Sequence, residues 1–183
     1  LSGGNGSGKS TLLKCIYNLL PCWNGSVWFE NERIDEMKPS DLIRKGIVYI
    51  PQKDFCFENL TVEENLQISG NIYNKTELKQ RIAEVLERTE LEKLKKRKPF
   101  NLSGGEKKLL ACSMGFLHQP KLVLFDEPFA GVDFANYQKL ISIFKSSFIR
   151  DDVAFVFVEH KDSVNNFINR NIRLELGSII EKI

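Results

Sequence analysis

Eight residues near the start of the chain, Gly3-Gly4-Asn5-Gly6-Ser7-Gly8-Lys9-Ser10, carry the GxxxxGK[ST] spacing of a phosphate-binding loop. The chemistry demands these residue types. Glycines let the backbone wrap tightly enough for successive N–H groups to face phosphate oxygens, and a helix that follows points its positive end at the same anion. Lys9 brings a point charge to β- and γ-phosphates, and the Ser10 hydroxyl is a ligand for Mg2+. A second pattern completes the first: Leu122-Val123-Leu124-Phe125-Asp126-Glu127 is an apolar run ending in two acids. Such a strand presents carboxylates at the carboxyl edge of a sheet, where α/β ligands bind. There Asp126 holds the metal through water, and Glu127 is free to orient or deprotonate an attacking water. Either pattern alone also fits plain structure, a glycine-rich turn or a buried strand. Together they read as triphosphate chemistry.

These groups must be positioned by alternating helices and strands. Residues 10–20 read as a helix with Leu12, Leu13, Ile16 and Leu19 on one apolar face and Pro21 beyond its end. Residues 26–30 and 47–50 read as strands, the second closed by Pro51. The middle changes character: Thr61-x-x-Glu64 is a capping box opening a short helix, residues 76–89 carry a second helical pattern, and a third helix runs from about Gly104 to His118. Strand-like segments at 122–125, 153–158 and 172–176 then alternate with helical stretches. Near-continuous apolar strands between helices predict a mainly parallel sheet covered on both faces. The expected architecture is one α/β domain over 1–183, with a helical subdomain at 53–118 inserted between 1–52 and 119–183 of the core. The chain opens two residues before the loop. It therefore reads as lacking N-terminal strands, including the one that should feed the loop.

Bulk properties exclude little but agree. A chain of 183 residues with 42% hydrophobic and 27% charged residues is an ordinary globular composition. A net charge of +2 names no partner, and a nucleic-acid binder would be more basic, with its charge on one face. Lys93-Leu94-Lys95-Lys96-Arg97-Lys98 reads as a solvated helix end rather than a nucleic-acid patch. Cys15, Cys22, Cys56 and Cys112 lack CxxC spacing and an accompanying histidine pair, so they read as buried, reduced thiols. No apolar run approaches the ~20 residues that span a bilayer.

Leu102-Ser103-Gly104-Gly105-Glu106, lying between the phosphate loop and the acidic strand, resembles the signature motif of ABC ATPases. Its physics agrees with that resemblance: Ser103 is an N-cap residue, and the glycines expose N–H groups at a positive helix end. The resemblance covers essentially the whole chain and implies a P-loop ATPase that uses ATP and Mg2+. It puts Gly3, Gly4, Asn5, Gly6, Ser7, Gly8, Lys9, Ser10 and Thr11 around the phosphates, and Ser10, Gln52 and Asp126 around the metal. It implies a head-to-tail dimer in which Ser103, Gly104 and Gly105 of one subunit close the ATP held by the other. Gln52 looks like the Q-loop glutamine, Asp133 in Ala130-Gly131-Val132-Asp133 like the aspartate that communicates across the dimer, and His160 like the switch histidine at the γ-phosphate. With Glu127, Gln52 and His160 form the implied catalytic set. Gly4, Lys107-Lys108 and Lys161 depart from common family residues without removing a catalytic group.

Residues 57–66, 126–133 and 158–160 are similar to ATPases of branched-chain amino-acid importers and lipopolysaccharide exporters. The implied role is the ATPase subunit of a transporter. It would pair with a second ABC ATPase subunit and a transmembrane permease, and lie in the cytoplasm against the inner face of the membrane. Phe55, Phe57 and Leu60 would help line the groove that docks the permease; ordinary core packing is their other reading. Ser-Gly-Gly-Glu-Lys-Lys at 103–108 is also similar to non-transport ABC ATPases of iron–sulfur cluster assembly and translation-factor type. A non-hydrolysing regulatory subunit is disfavoured by the presence of Lys9, Glu127 and His160.

Overall fold

The computed structural model describes residues 1–53, 55–127, 130, 134–148, 152–158 and 168–182. Strands β1 (Trp28–Phe29) and β2 (Glu32–Arg33) form a short hairpin. Its turn residues Glu30 and Asn31 have φ of 48° and 63°, the left-handed pair that suits a two-residue hairpin turn. That turn cuts the strand expected over 26–30 down to two residues.

The central sheet has three parallel strands, β3 (Ile47–Ile50), β4 (Leu122–Asp126) and β5 (Ala154–Val158), in that order. Tyr49 aligns with Leu124, and Asp126 with Val158. Side chains alternate across a strand, and the two faces bury separate cores. Ile47, Leu124 and Val158 pack on one face with Leu13 and Tyr17, from and just beyond helix α1 (Lys9–Ile16), and with Leu42 of α2 (Pro39–Arg44). Val48, Ile50, Val123, Phe125 and Phe157 pack on the other. There they meet α3 (Val62–Ser69), α4 (Lys75–Arg88), α5 (Gly104–Phe116) and α6 (Phe134–Phe148). Phenylalanines dominate the second core: Phe116 stacks on Phe148 at 3.9 Å between centroids, Phe125 on Phe157 at 5.2 Å, and Phe144 meets Phe125 edge-on at 5.2 Å. The Phe125–Phe157 and Phe125–Phe144 pairs, at the spacing of offset and edge-on contacts, add roughly 0.5–1.5 kcal/mol each beyond area burial.

Several expectations are corrected. Helix α1 ends at Ile16, and Leu19 lies past it, 48% exposed; Tyr17 takes the buried place instead, because the turn at 17–20 carries Leu19 off the apolar face. Helix α2, opened by Pro39 at its first turn, is absent from the sequence reading. Of the four cysteines only Cys112 is buried, and Cys22 is exposed. Between β3 and β4 all regular structure among the described residues is helical.

The two residues ahead of the loop are tied to neighbouring backbone. The Leu1 nitrogen donates to the Phe157 carbonyl. The Ser2 N–H donates to Ile172 O, and the Leu174 N–H to Ser2 O, each at 2.9 Å. This parallel bridge joins the loop to the antiparallel hairpin of β6 (Ile172–Glu175) and β7 (Ser178–Lys182). Among the described residues no helix is long and apolar enough to cross a membrane.

Candidate functional site

The phosphate loop is held by one glycine and one lysine. Gly3 has φ 141°, and a Cβ there would sit 2.2 Å from the Leu174 carbonyl oxygen and 2.8 Å from Ser7 Oγ. Only glycine lets the loop pass this close to β6. Gly8, at φ 99°, is the N-cap of α1. Lys9 is 5% exposed. Its Nζ donates to the Gly3 and Gly4 carbonyls at 2.9 Å each and to Ser7 Oγ at 3.4 Å. The ammonium thus sits inside the loop curve, where a phosphate cradled by the same loop would meet it. Asn5 and Thr11 are exposed at the loop and the first turn of α1.

The acidic strand end meets the loop directly. Asp126, 3% exposed, accepts the Ser10 hydroxyl on Oδ1 at 2.7 Å and the Tyr49 hydroxyl on Oδ2 at 2.9 Å. Both carboxylate oxygens are therefore satisfied, as burial requires. Burial first, then the Asp126 hydrogen bond and charge, raises the Tyr49 phenol well above its ordinary value. Glu127 follows with φ 51°, a left-handed conformation costing roughly 1–3 kcal/mol in a non-glycine residue. Its N–H donates to Val158 O at 2.9 Å. The turn takes its side chain out of the strand alternation and across to Gln52, whose Nε2 donates to Glu127 Oε2 at 2.8 Å. Lys108 of α5, 8% exposed, donates from Nζ to the Gln52 carbonyl at 2.8 Å.

The loop is thus joined to Asp126 through Ser10, and Glu127, the next residue, to Gln52. Tyr49 and Lys108 belong with them but were not singled out from the sequence. No local pattern marks Tyr49: it shares a sheet face with Leu124 and Asp126 only through the β3–β4 register. Ser103 sits apart on α5, closing a capping box in which its Oγ accepts the Glu106 N–H at 3.2 Å and its own N–H donates to Glu106 Oε2 at 2.8 Å. The box occupies the serine oxygen, so the first-turn N–H groups of Gly104 and Gly105 are the donors that helix geometry leaves without intrahelical partners. Ser103 and Gly104 are exposed. Asp133 and His160 lie outside the described residues.

The donors at the loop suit a hard, oxygen-seeking cation: the Ser10 hydroxyl, the Asp126 carboxylate and the Gln52 amide oxygen. Among the described residues no cluster of three or more His, Cys, Asp or Glu could hold an ion alone. That combination fits Mg2+, which is commonly bound by one or two protein oxygens together with substrate phosphates and waters.

An apolar groove of about 520 Å3 runs along the edge of β3 that is unpaired among the described residues. Tyr49, Ile50, Met114 and His118 contribute to its floor, and Phe55 and Phe57 form a lip. The two phenylalanine rings pack edge-on at 5.8 Å and are 65% and 41% exposed, so they are not part of the buried core. Leu60 does not line the groove. Its N–H donates to Phe57 O, in the turn that leads into α3. In the basic run, Lys95 pairs with Glu92 and Lys96 with Glu63.

The ABC transporter family profile matches residues 1–130. The chain is 43% identical over 129 residues to the probable branched-chain amino acid transport ATP-binding protein LivF of Archaeoglobus fulgidus, a match covering 70% of this chain and 55% of LivF. To the high-affinity branched-chain amino acid transport ATP-binding protein BraG of Pseudomonas aeruginosa it is 30% identical over 181 residues, 98% of this chain and 78% of BraG. The dimeric post-hydrolysis structure of the ATP-binding cassette MJ0796, bound to ADP and Pi, superposes with TM-score 0.83 at 28% identity, covering 99% of this chain and 82% of MJ0796.

Proposed function

The chain belongs to the ABC transporter family, in its ATP-binding part, and from that membership we propose that it binds and hydrolyses ATP to drive a membrane transporter. The observation that carries the proposal is the 2.7 Å bond from Ser10 to Asp126, which joins the phosphate loop to the acidic strand end at a single place. Loop N–H groups and Lys9 bind the β- and γ-phosphates. Mg2+, held by Ser10, Asp126 and Gln52, would neutralise charge between phosphate oxygens. Gln52 orients the attacking water, and Glu127 takes its proton. His160 is assigned the γ-phosphate contact.

Two phosphate-binding helix starts on one chain, at α1 and α5, favour a twofold head-to-tail dimer with two equivalent composite sites. In it Ser103, Gly104 and Gly105 of one subunit cover the ATP of the other, and Asp133 communicates between them. The relatives named above support this role, since LivF and BraG are transport ATP-binding proteins and MJ0796 is dimeric. We assign 53–118 as a helical subdomain inserted into the core, and the groove along β3 as the seat of a transmembrane permease. The protein would then lie peripherally on the inner face of the membrane.

The test is ATP hydrolysis by the intact protein with Mg2+, alone and with its partner. Slow turnover, faster in the complex, is expected. Glu127→Gln should keep nucleotide binding and nearly abolish turnover; unchanged turnover would remove Glu127 from the base role.

A further inference from the structure

Tyr49 stands in two places at once. Its ring contributes to the floor of the β3 groove and stacks on Tyr17 at 5.7 Å between centroids. Its hydroxyl donates to Asp126 Oδ2 at 2.9 Å, opposite the Ser10 hydroxyl on Oδ1. The backbone makes this reach possible. Tyr49 pairs in register with Leu124, and Asp126 is two residues further along β4 on the same face. Diagonal neighbours on one face of a sheet stay within reach of a long aromatic side chain, and the 2.9 Å bond shows that Tyr49 spans the gap.

We propose that Tyr49 is a positioning residue: its hydroxyl, reaching in from the groove, fixes the Asp126 carboxylate in the orientation that presents Oδ1 to Ser10 and the metal. The inference rests on the nucleotide reading above and adds to it a residue that touches neither nucleotide nor metal. Three anchors define the carboxylate plane: the strand backbone, Ser10 and Tyr49. Ser10 is itself a metal ligand in this reading, so its hydroxyl must shift its bond when Mg2+ is taken up. Tyr49 is not, and its bond is kept throughout. Asp126 without it could rotate about its terminal torsion, which is broad and only two-fold. The ring's place in the groove gives an occupant of that groove direct contact with the side chain that holds the metal carboxylate.

The test compares the intact protein with Tyr49→Phe, which keeps the ring, its stack on Tyr17 and the groove floor while removing only the hydroxyl. Mn2+ as a probe of the Mg2+ site is titrated into the ADP complex and followed by electron paramagnetic resonance; ADP affinity is measured separately in EDTA. Loss of a hydrogen bond to a charged group predicts roughly tenfold weaker Mn2+ binding in Tyr49→Phe, with ADP affinity in EDTA within about twofold of the native protein. In turnover, the Mg2+ concentration giving half-maximal rate should rise by the same factor, while the rate at saturating Mg2+ recovers most of its value. An altered ADP affinity in EDTA would make Tyr49 a packing residue and overturn the inference. Equal Mn2+ affinity in the two proteins would do the same while leaving the nucleotide reading intact. Failure of the native protein to bind ADP at all would overturn both.

Discussion

His118 gives the domain an acid weakness that can be worked out from its surroundings. It follows α5, between the groove and α4. Its Nδ1 lies 3.2 Å from the Tyr73 hydroxyl and its Nε2 3.5 Å from Ser69 Oγ. The Arg81 guanidinium sits 4.2 Å over the Tyr73 ring. Burial, and then the Arg81 charge, depress the imidazole from 6.5 to about 4. The unfolded chain therefore takes up a proton at a pH where the folded protein does not. The stability contributed by neutral His118 is complete above the unfolded value and is lost as pH falls toward the folded one. Between pH 8 and pH 5 the linkage relation gives a loss of about 2 kcal/mol, trimmed toward 1 by the ring's residual exposure. Side-chain carboxylates titrate mainly below this window, and the chain's second and last histidine is His160. Urea unfolding at the two pH values, in a His160→Gln background, leaves His118 and the Leu1 amine, which burial also lowers, as the depressed groups of this window, and the pair with and without His118 separates them. That protein should lose about 1–2 kcal/mol on acidification, and the additional change His118→Gln should flatten the difference. Equal losses with and without His118 would refute the reasoning.

Other consequences follow from single contacts. Gly3→Ala places a methyl 2.2 Å from the Leu174 carbonyl at φ 141°, and should lower stability by roughly 2 kcal/mol or more, read as a drop in Tm. Ser103→Arg should leave nucleotide binding by the single subunit intact and prevent ATP-driven dimerisation, as followed by size-exclusion chromatography with Glu127→Gln to slow turnover. Lys108→Met removes the donor to the Gln52 carbonyl while keeping the volume. It should lower kcat severalfold, about what one hydrogen bond is worth, and leave the KM for ATP nearly unchanged; equal effects on both would place Lys108 in packing alone.

Much of the site was legible because its chemistry is local in sequence. The loop's glycines, Lys9 and Ser10 are consecutive, and so are Asp126 and Glu127. Alternating apolar strands gave the parallel sheet, and a capping box at Thr61 and an N-cap serine at 103 placed the starts of α3 and α5. What escaped was non-local. Lys108 read only as a departure from a common glutamine, because its partner is a backbone carbonyl 56 positions away. Tyr49 passed as an ordinary strand aromatic, since its bond to Asp126 spans 77 positions and exists only in the β3–β4 register. The phenylalanine core escaped for the same reason: Phe116, Phe125, Phe144 and Phe157 come from four different elements. Leu19 shows the opposite failure, a sound helical period carried past the point where the backbone turned away.

The two neighbouring acids end up with different mechanical characters, and β3 accounts for the difference. Asp126 ends a strand paired on both sides, and Ser10 and Tyr49 hold its two oxygens. Moving it means breaking ladder bonds or leaving a buried charge unpaired, each a cost of roughly 1–3 kcal/mol. Glu127 is just outside the ladder, and its bond to Gln52 is exposed. Gln52 follows Pro51, beyond the last paired residue Ile50, and its carbonyl is tethered to α5 through Lys108. Hydrogen bonds tolerate only a few tenths of an ångström beyond about 3.2 Å. A sub-ångström shift of α5 against the sheet is therefore enough to part Gln52 from Glu127 while Asp126 stays in place. Under the proposed roles the Asp126 carboxylate is fixed by the core, whereas Gln52 and Glu127 answer to the helix that Ser103 caps, so closure of a partner over that helix would reach the base and the Gln52 metal contact together while Asp126 stays in place.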